Sequence, residues 1–179
     1  MMQPPSQSPR SSVSSRADAG LGSVLNRLST RLQRDSLVQR TTDALRNSLA
    51  VDRIVLYYFY CHWEGQVTFE SLSHAKHSIL GSTGPDECFN GDYAEMYLQG
   101  RVRAIADIET ADIHSCHRDF LRNIGVRANL VVPVLVNNDL WGLLVAHHCS
   151  STHDWSASAV SQMLEAAETL ATSPTLNSL

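Results

Sequence analysis

The chain has 179 residues, of which 43% are hydrophobic and 18% are charged, and its formal net charge is −4. This length and composition predict one globular domain with a hydrophobic core. No cluster of Lys and Arg appears, which argues against nucleic acid or an anionic membrane as a partner. No apolar run approaches the roughly 20 residues that span a bilayer. The first residues, MMQPPSQSPR, lack the apolar core of a signal peptide, so we expect a cytoplasmic protein.

The N-terminal part of the chain changes character at Leu21. Residues 1–20 are rich in Ser, Pro and Gln, which predicts a disordered linker or tail. From residue 21 to 34, leucines recur at helical spacing and predict an N-terminal helix. Asp35 can cap a second helix, whose predicted apolar stripe comprises Leu37, Thr41, Leu45 and Leu49. Such stripes pack on the domain or on the same helix of a second copy, so a homodimer through terminal helices is one expectation.

The middle of the chain alternates strand and turn signals. Residues 53–60, RIVLYYFY, are β-branched and aromatic, which is typical of a strand. The turn-like residues 61–65, CHWEG, separate them from QVTFESL, so the two segments predict an antiparallel hairpin. Gly and Pro break up residues 73–91, which predicts an irregular segment. DYAEMYLQ then predicts a short helix that ends at Gly100, and residues 102–108, VRAIADI, predict another strand.

A helix over residues 113–124 is predicted by one apolar face, with Asp112 as its N-terminal cap and Gly125 at its end. That face comprises Ile113, Cys116, His117, Phe120, Leu121 and Ile124. VRANLVVPVLV and LWGLLVAHHCS follow as a second hairpin around residues 137–139, and Ser156 can cap a last helix over 157–171. Sequential hairpins with helices between them predict an α+β domain with a central antiparallel sheet.

Two isolated cysteines lie in settings that suggest ligand chemistry. Cys88 is in a polar, Gly-rich stretch, GSTGPDECFNGDY, two residues after Asp86. A nearby carboxylate raises the pKa of a thiol, so Cys88 suits an electrophilic or cationic ligand better than general thiol catalysis. Cys116 precedes His117 on the predicted helix, and an imidazole on a core-facing surface needs a hydrogen-bond partner. A polar ligand or a backbone carbonyl would supply that partner.

Other readings of these residues remain open at this point. A cysteine on a helix face is often a small buried hydrophobe. A zinc site would be possible if the predicted helix and the last strand were adjacent, with ligands from His114, Cys116, His117, His147, His148 and Cys149. A Cys-His hydrolase is disfavoured because neighbouring residues on a helix point about 100° apart.

Three segments carry a resemblance to a known family. CHRDFL, VRANLVVPVL and LWGLLVAHHCS together closely resemble the chromophore-binding GAF domain of cyanobacteriochromes, photoreceptors related to phytochromes. The similarity runs from about Asp35 to Leu170, which places a bilin-binding GAF domain at 35–172 and a tail at 173–179. DECF, with Asp86, Cys88 and Phe89, matches the Asp-x-Cys-Phe motif of the dual-cysteine subgroup.

The resemblance implies a role for each matching residue. Cys116 corresponds to the cysteine that forms a thioether to ring A of a linear tetrapyrrole, phycocyanobilin or its isomer phycoviolobilin. His117 corresponds to the histidine that packs near the pyrrole nitrogens, which Asp86 is expected to contact. Cys88 corresponds to a second cysteine that adds reversibly to the central methine bridge. Arg101 matches a position expected to hold a propionate.

The resemblance also implies a function. Light isomerises the 15,16 double bond of the bilin, the Cys88 bond breaks, and absorption moves between a blue or violet band and a longer wavelength. The domain is then a reversible switch and not an enzyme, and it signals to kinase, cyclase or chemotaxis modules of a larger protein. The alternatives are a GAF domain that binds a cyclic nucleotide or another small molecule, and one that senses redox state or metal.

Overall fold

The computed structural model describes residues 12–61, 64–84 and 93–178, and it describes side chains for residues 19–61, 64–84 and 95–178. Helix α1 covers Ser12–Arg34 and helix α2 covers Ser36–Leu49. The first helix therefore begins nine residues before Leu21, inside the segment expected to be a tail. Among the described residues, no helix is both long and apolar enough to cross a membrane.

Helix α2 begins where the sequence predicts, because the Asp35 carboxylate accepts hydrogen bonds from the backbone N–H groups of Leu37 and Val38 at 2.9 and 3.3 Å. Its predicted apolar stripe is wrong by one residue in the first two turns. The buried positions are Val38, Thr42, Leu45 and Leu49. Four residues of an α-helix rotate by about 40° beyond a full turn, so a stripe with a constant spacing of four residues drifts off the buried face. The buried positions are therefore separated alternately by three and four residues.

In the described part of the chain, five strands form one antiparallel sheet. They are β1 (Arg53–Phe59), β2 (Gly65–Leu72), β3 (Arg103–Ile105), β4 (Ala128–Val136) and β5 (Asp139–His148), in the order β2-β1-β5-β4-β3. Both predicted hairpins are confirmed. Asn137 and Asn138 take φ values of 53° and 68° between β4 and β5, as a two-residue type I′ turn requires.

The described residues also form three further α-helices: α3 (Tyr93–Leu98), α4 (Ser115–Asn123) and α5 (Ala157–Ala171). Gly100, with φ of 88°, follows α3 as predicted. The Ser156 hydroxyl caps α5 by accepting from the backbone N–H of Ala159 at 3.1 Å. The strand predicted over 102–108 shortens to β3 because the Asp107 carbonyl and carboxylate fold the following residues into a turn.

The two faces of the sheet have different roles. One face packs against α2 and α5 in the main core, which includes Ile54, Leu56, Leu130, Val132 and Leu144 from the strands, and Leu28 and Leu32 of α1 join this core. The opposite face carries a smaller apolar cluster of Val55, Val67, Val131, Leu143 and Val145 with Tyr97 of α3. The predicted α+β class with an antiparallel sheet flanked by helices is therefore confirmed.

The segment after α5, which the sequence predicts as a tail, packs on the domain instead. Leu176 is 1% exposed. The hydroxyl groups of Ser173 and Thr175 donate to Oδ2 of Asp35 at 2.6 and 2.8 Å. Because the carboxylate that caps α2 has spare acceptor capacity, it ties the end of the described chain to the start of α2.

Replacing Asp35 with Ala is expected to lower the free energy of unfolding by about 1–2 kcal/mol, because the helix cap and two hydroxyl acceptors are lost together. Burial alone would raise the pKa of Asp35, but hydrogen bonds from Ser173, Thr175 and two backbone N–H groups lower it. The group therefore stabilises the fold above its unfolded pKa, and that contribution is lost as the pH falls through the lowered folded pKa.

Urea unfolding of the Asp35→Ala protein at neutral and acid pH measures this effect. The matched control is Asp154→Ala, which removes an exposed carboxylate. Equal stability losses in the two variants, or an Asp35→Ala deficit that grows on acidification, would contradict the prediction.

Candidate functional site

A cavity lies between the second face of the sheet and helix α4, with about 880 Å³ of empty space that is partly open to solvent. Its walls are mainly apolar. The apolar lining includes Val55, Val67, Ile79, Phe120, Leu121, Ile124, Val131, Leu143 and Val145. Polar groups enter this lining at a few positions: Tyr57, Ser82, Thr83, Arg103, His117, Asn129 and His147. Such a lining suits a largely apolar ligand with a small number of polar groups.

Helix α4 begins later than predicted. Its cap is His114, whose Nδ1 accepts from the backbone N–H of Cys116 at 3.3 Å, and not Asp112. The Asp112 carbonyl instead accepts a hydrogen bond from Arg103 at 3.2 Å. The predicted end at Gly125 is confirmed: its φ is 69°, and its N–H and that of the next residue donate back to the carbonyls of Arg122 and Leu121.

The first turn of α4 carries Cys116 and His117. Both are partly buried, and His117 lines the cavity. Burial, followed by the charges of Arg103 and Arg101, lowers the pKa of His117 to about 4. The imidazole is therefore neutral at neutral pH and has one N–H donor and one nitrogen acceptor.

Two arginines stand on the side of the cavity near His117. The Arg101 guanidinium lies 5.9 Å from the centre of the Tyr97 ring and contacts the sulfur of Met96 at 2.8 Å. Arg103 lines the cavity itself. The resemblance points to Arg101 and not to Arg103, although their spacing of two residues in QGRVRAI places both on one side of an extended segment. Together they supply positive charge that suits a carboxylate.

Two buried polar residues, Asn129 and His147, line the cavity, and a third, Arg53, is buried next to His147. Of the three, only His147 is a candidate from the sequence, as a zinc ligand. Arg53, Asn129 and His147 are 1%, 3% and 4% exposed. The Nε of Arg53 donates to Nδ1 of His147 at 2.8 Å. Among the described residues, Oδ1 of Asn129 is buried without a hydrogen-bond partner. The sequence carries one signal for such residues, which is a polar residue in or next to an apolar strand segment. Arg53 at the start of RIVLYYFY is an example.

The residues of the DECF segment, Asp86, Cys88 and Phe89, lie outside the described residues. The described chain leading to them ends at the cavity, because Gly84 lines it. The backbone N–H of Gly84 donates to the Tyr57 hydroxyl at 2.8 Å, and that hydroxyl donates to the Gly65 carbonyl at 2.8 Å. Tyr57 thus links Gly84, two residues before Asp86, to the β1–β2 hairpin.

The zinc alternative finds no support in the part of the chain that the structure describes. There, no group of three or more His, Cys, Asp or Glu side chains could hold a metal ion. Nδ1 of His147 accepts from Arg53, and His148 lies 3.8 Å from Asp52, whose carboxylate accepts the N–H of Cys149 at 2.7 Å.

Residues 33–173 match the family model for the GAF domain, and the chain belongs to this family. Among solved structures it is similar to the cyanobacteriochrome receptor PixJ, with a TM-score of 0.73 and 34% identity over 83% of this chain and 97% of that one. The blue-light absorbing form of the Thermosynechococcus elongatus PixJ GAF domain gives a TM-score of 0.73 and 33% identity over 84% and 88%. A phycocyanobilin-bound GAF domain from a cyanobacterial phytochrome gives 0.69 and 29% over 87% and 94%.

Two relatives in cyanobacteria differ greatly in length. An uncharacterized protein of Picosynechococcus sp. is 53% identical over 86% of this chain and 94% of its own length. A putative methyl-accepting chemotaxis protein of Synechocystis sp. is 36% identical over 72% of this chain, but the match spans only 13% of that protein. The chain thus corresponds to nearly all of the first relative and to a small part of the second.

Proposed function

We propose that this GAF domain is a photosensor of the dual-cysteine type, which binds phycocyanobilin or phycoviolobilin through a thioether to Cys116. The observation that carries the proposal is the apolar cavity beside α4, lined by His117 and Arg103, in a domain about one third identical to the PixJ photoreceptor domain. A bilin is long and mostly apolar, and it carries two propionates. An apolar cavity with two arginines on one side matches that distribution of polarity.

The residues of the chain have separable tasks in this proposal. In its reduced form, the Cys116 thiol adds to the unsaturated side chain of ring A: sulfur bonds to carbon, the thiol proton is transferred to the ligand, and nothing leaves. His117, which is neutral and lines the cavity, packs against the polar centre of the ligand. Arg103 and Arg101 bind propionate oxygens, since a guanidinium can donate two parallel hydrogen bonds to one carboxylate.

Asp86 and Cys88 complete the proposed site. When bound, the bilin supplies light absorption and isomerisation of its 15,16 double bond. The Asp86 carboxylate stabilises positive charge on the ring nitrogens. The Cys88 thiol would give up its proton and form a second carbon–sulfur bond at the central bridge, which would use the π electrons of that bridge and shorten the conjugation. Breaking the bond would return the proton to sulfur and restore the conjugation. The similarity to the blue-light absorbing form of the Thermosynechococcus elongatus PixJ GAF domain supports a short-wavelength state.

The direct test is an absorption spectrum of the protein made together with phycocyanobilin, recorded before and after violet-blue illumination. We expect a violet or blue band that decreases on illumination while a longer-wavelength band rises, and the reverse under light of the second colour. A protein that carries no covalent pigment would overturn the proposal and favour a GAF domain that binds a cyclic nucleotide, another small molecule or a redox signal.

We also propose that the domain acts as a light switch without enzymatic activity of its own, and that it signals to output modules of a larger protein. The support is the match to a short part of a putative chemotaxis receptor. Helix α1 leads into the domain through Leu28 and Leu32, which are buried in its core, so a change in the core can reach this helix.

The charge next to His117 gives a separate prediction. Replacing Arg103 with Gln is expected to raise the pKa of His117 above its value of about 4, because one repelling cation is removed. The pKa should stay below the ordinary value of about 6.5, because burial is the larger cause and remains. An NMR titration of the pigment-free protein measures this, with Arg40→Gln on the exposed face of α2 as the control. An unchanged or lower pKa in Arg103→Gln would contradict the account.

A further inference from the structure

Arg53 is a fully buried cation at the first residue of β1. The sheet register places it directly opposite His147 of β5, which in turn lies opposite Asn129 of β4. These three side chains form a polar row across a mainly apolar sheet face. Burying an unpaired cation costs free energy, so a buried arginine needs hydrogen-bond acceptors. The acceptors of Arg53 indicate its role.

All three hydrogen bonds that Arg53 donates go to neutral acceptors. Nε donates to Nδ1 of His147 at 2.8 Å, Nη1 to the carbonyl of His77 at 2.7 Å, and Nη2 to the carbonyl of Ile124 at 2.7 Å. Ile124 is the C-terminal cap of α4, and His77 ends the short helical turn Ala75–His77. Because two carbonyls on different elements hold the guanidinium plane, its Nε–H has one fixed direction.

That direction determines the protonation of His147. A guanidinium is only a donor, so Nδ1 of His147 must offer its lone pair. A neutral imidazole with a lone pair on Nδ1 carries its proton on Nε2. Nδ1 is occupied and the residue lines the cavity, so Nε2 is the nitrogen available to a ligand.

We propose that Arg53 is a positioning residue that holds His147 as the neutral, Nε2-protonated tautomer, so that His147 presents to the cavity a hydrogen-bond donor and never an acceptor. The ligand group that meets His147 is then a carbonyl or carboxylate oxygen. The assignment of the tautomer depends only on contacts within the protein, whereas the statement about the ligand rests on the proposed function.

Electrostatics act in the same direction. Burial, followed by the charge of Arg53, lowers the pKa of His147 well below its ordinary value. Among the described residues, the other polar side chains that line the cavity are not carboxylates and include no anion that would favour an imidazolium: Tyr57, Ser82, Thr83, Tyr97, Arg103, Asn129 and the neutral His117. The nearby carboxylates, Asp52 and Glu70, act on the charge of Arg53. His147 therefore remains a neutral donor over the physiological pH range.

Nitrogen-15 NMR of the pigment-free protein tests the tautomer, with His147→Gln used to assign the signals. We expect Nδ1 of His147 without a proton and Nε2 with one, unchanged between about pH 5.5 and 8. In Arg53→Lys, which keeps the charge but loses the fixed fork, we expect exchange between the two tautomers. Arg46→Lys is the matched control, since Arg46 is a partly buried arginine whose Nε donates to Ser71.

A proton on Nδ1 in the wild type would overturn the proposal, and this holds even if Arg53→Lys does not fold. A single unchanged tautomer in a folded Arg53→Lys protein would overturn it as well, because Arg53 would then not be its cause. If no bilin binds at all while the tautomer is as expected, only the proposed function and the ligand statement fail.

The pigmented protein supplies a second readout that a purely structural role would not give. Arg53→Lys is expected to shift the absorption bands when residue 147 is His. In the His147→Gln background the same change should have little effect, because no imidazole tautomer remains to be set. Equal shifts in both backgrounds would show that Arg53 acts on the pigment by another route.

Discussion

Protein in which Cys116 is replaced by Ala, made together with phycocyanobilin, is expected to fold and to carry no covalent pigment. Cys116 is in the first turn of α4, next to the cavity-lining His117, so its sulfur is the proposed point of attachment. The fold should survive because Ala favours helix and the residue is only partly buried. A denaturing gel viewed for zinc-enhanced bilin fluorescence measures the loss.

The matched controls are the free cysteines Cys61 and Cys149. Cys61 is exposed, and burial is the main cause that raises the pKa of the Cys149 thiol, which keeps it protonated and a poor nucleophile. Cys61→Ala and Cys149→Ala should therefore retain the full covalent signal. Pigment that remains attached in Cys116→Ala, or disappears in either control, would show that the anchor has been assigned to the wrong thiol.

Replacing Cys88 with Ala is expected to abolish the violet or blue band while the pigment stays covalently attached through Cys116. The proposed second thioether interrupts the conjugation at the central bridge, so without that sulfur the long-wavelength band should persist in both light states. Absorption spectra before and after violet-blue illumination measure the change. The expected effect is the complete loss of one band, which is larger than the tuning expected from any cavity-lining residue.

Cys88→Ser is the informative companion variant, because it keeps the size and polarity of the side chain but has a much weaker nucleophile. It should behave as Cys88→Ala does. A short-wavelength band in either variant would leave Cys116 as the anchor and reduce Cys88 to an ordinary residue of its segment. The gel tests Cys116 as the anchor, and the spectrum tests Cys88 as the second attachment point. The two thiols are therefore tested independently.

Local sequence patterns predicted much of the fold. The β-branched runs and the Asn137-Asn138 turn predicted both hairpins, and the caps Asp35 and Ser156 predicted two helix starts. The errors came where competing local partners exist. His114 caps α4 in place of Asp112, because the side chain of His114 accepts from the backbone N–H of Cys116 while the carbonyl of Asp112 accepts from Arg103. The residues after α5 are packed because Asp35, far away in sequence, accepts their hydroxyls.

For the site, sequence spacing brought His117 to the inward side of a helix, and the resemblance added Arg101 beside it. Neither could select Arg103 over Arg101 as the residue that lines the cavity. That choice depends on the path of β3 beside β4 and on the carbonyl of Asp112 that holds Arg103. Cys88 and Asp86 remain assignments from the DECF motif alone.

By itself, the sequence determined most of the local elements and suggested which thiols react, since propensities, caps and thiol chemistry act over a few residues. Only the tertiary structure decided that Arg53 and His147, 94 residues apart, meet beneath the cavity. Their pairing depends on β1 and β5 lying side by side in one register, and on two backbone carbonyls from separate elements that fix the guanidinium. Local sequence spacing does not reveal a hydrogen bond between residues that are far apart in the chain. Which donor His147 presents to the cavity is therefore decided by the fold.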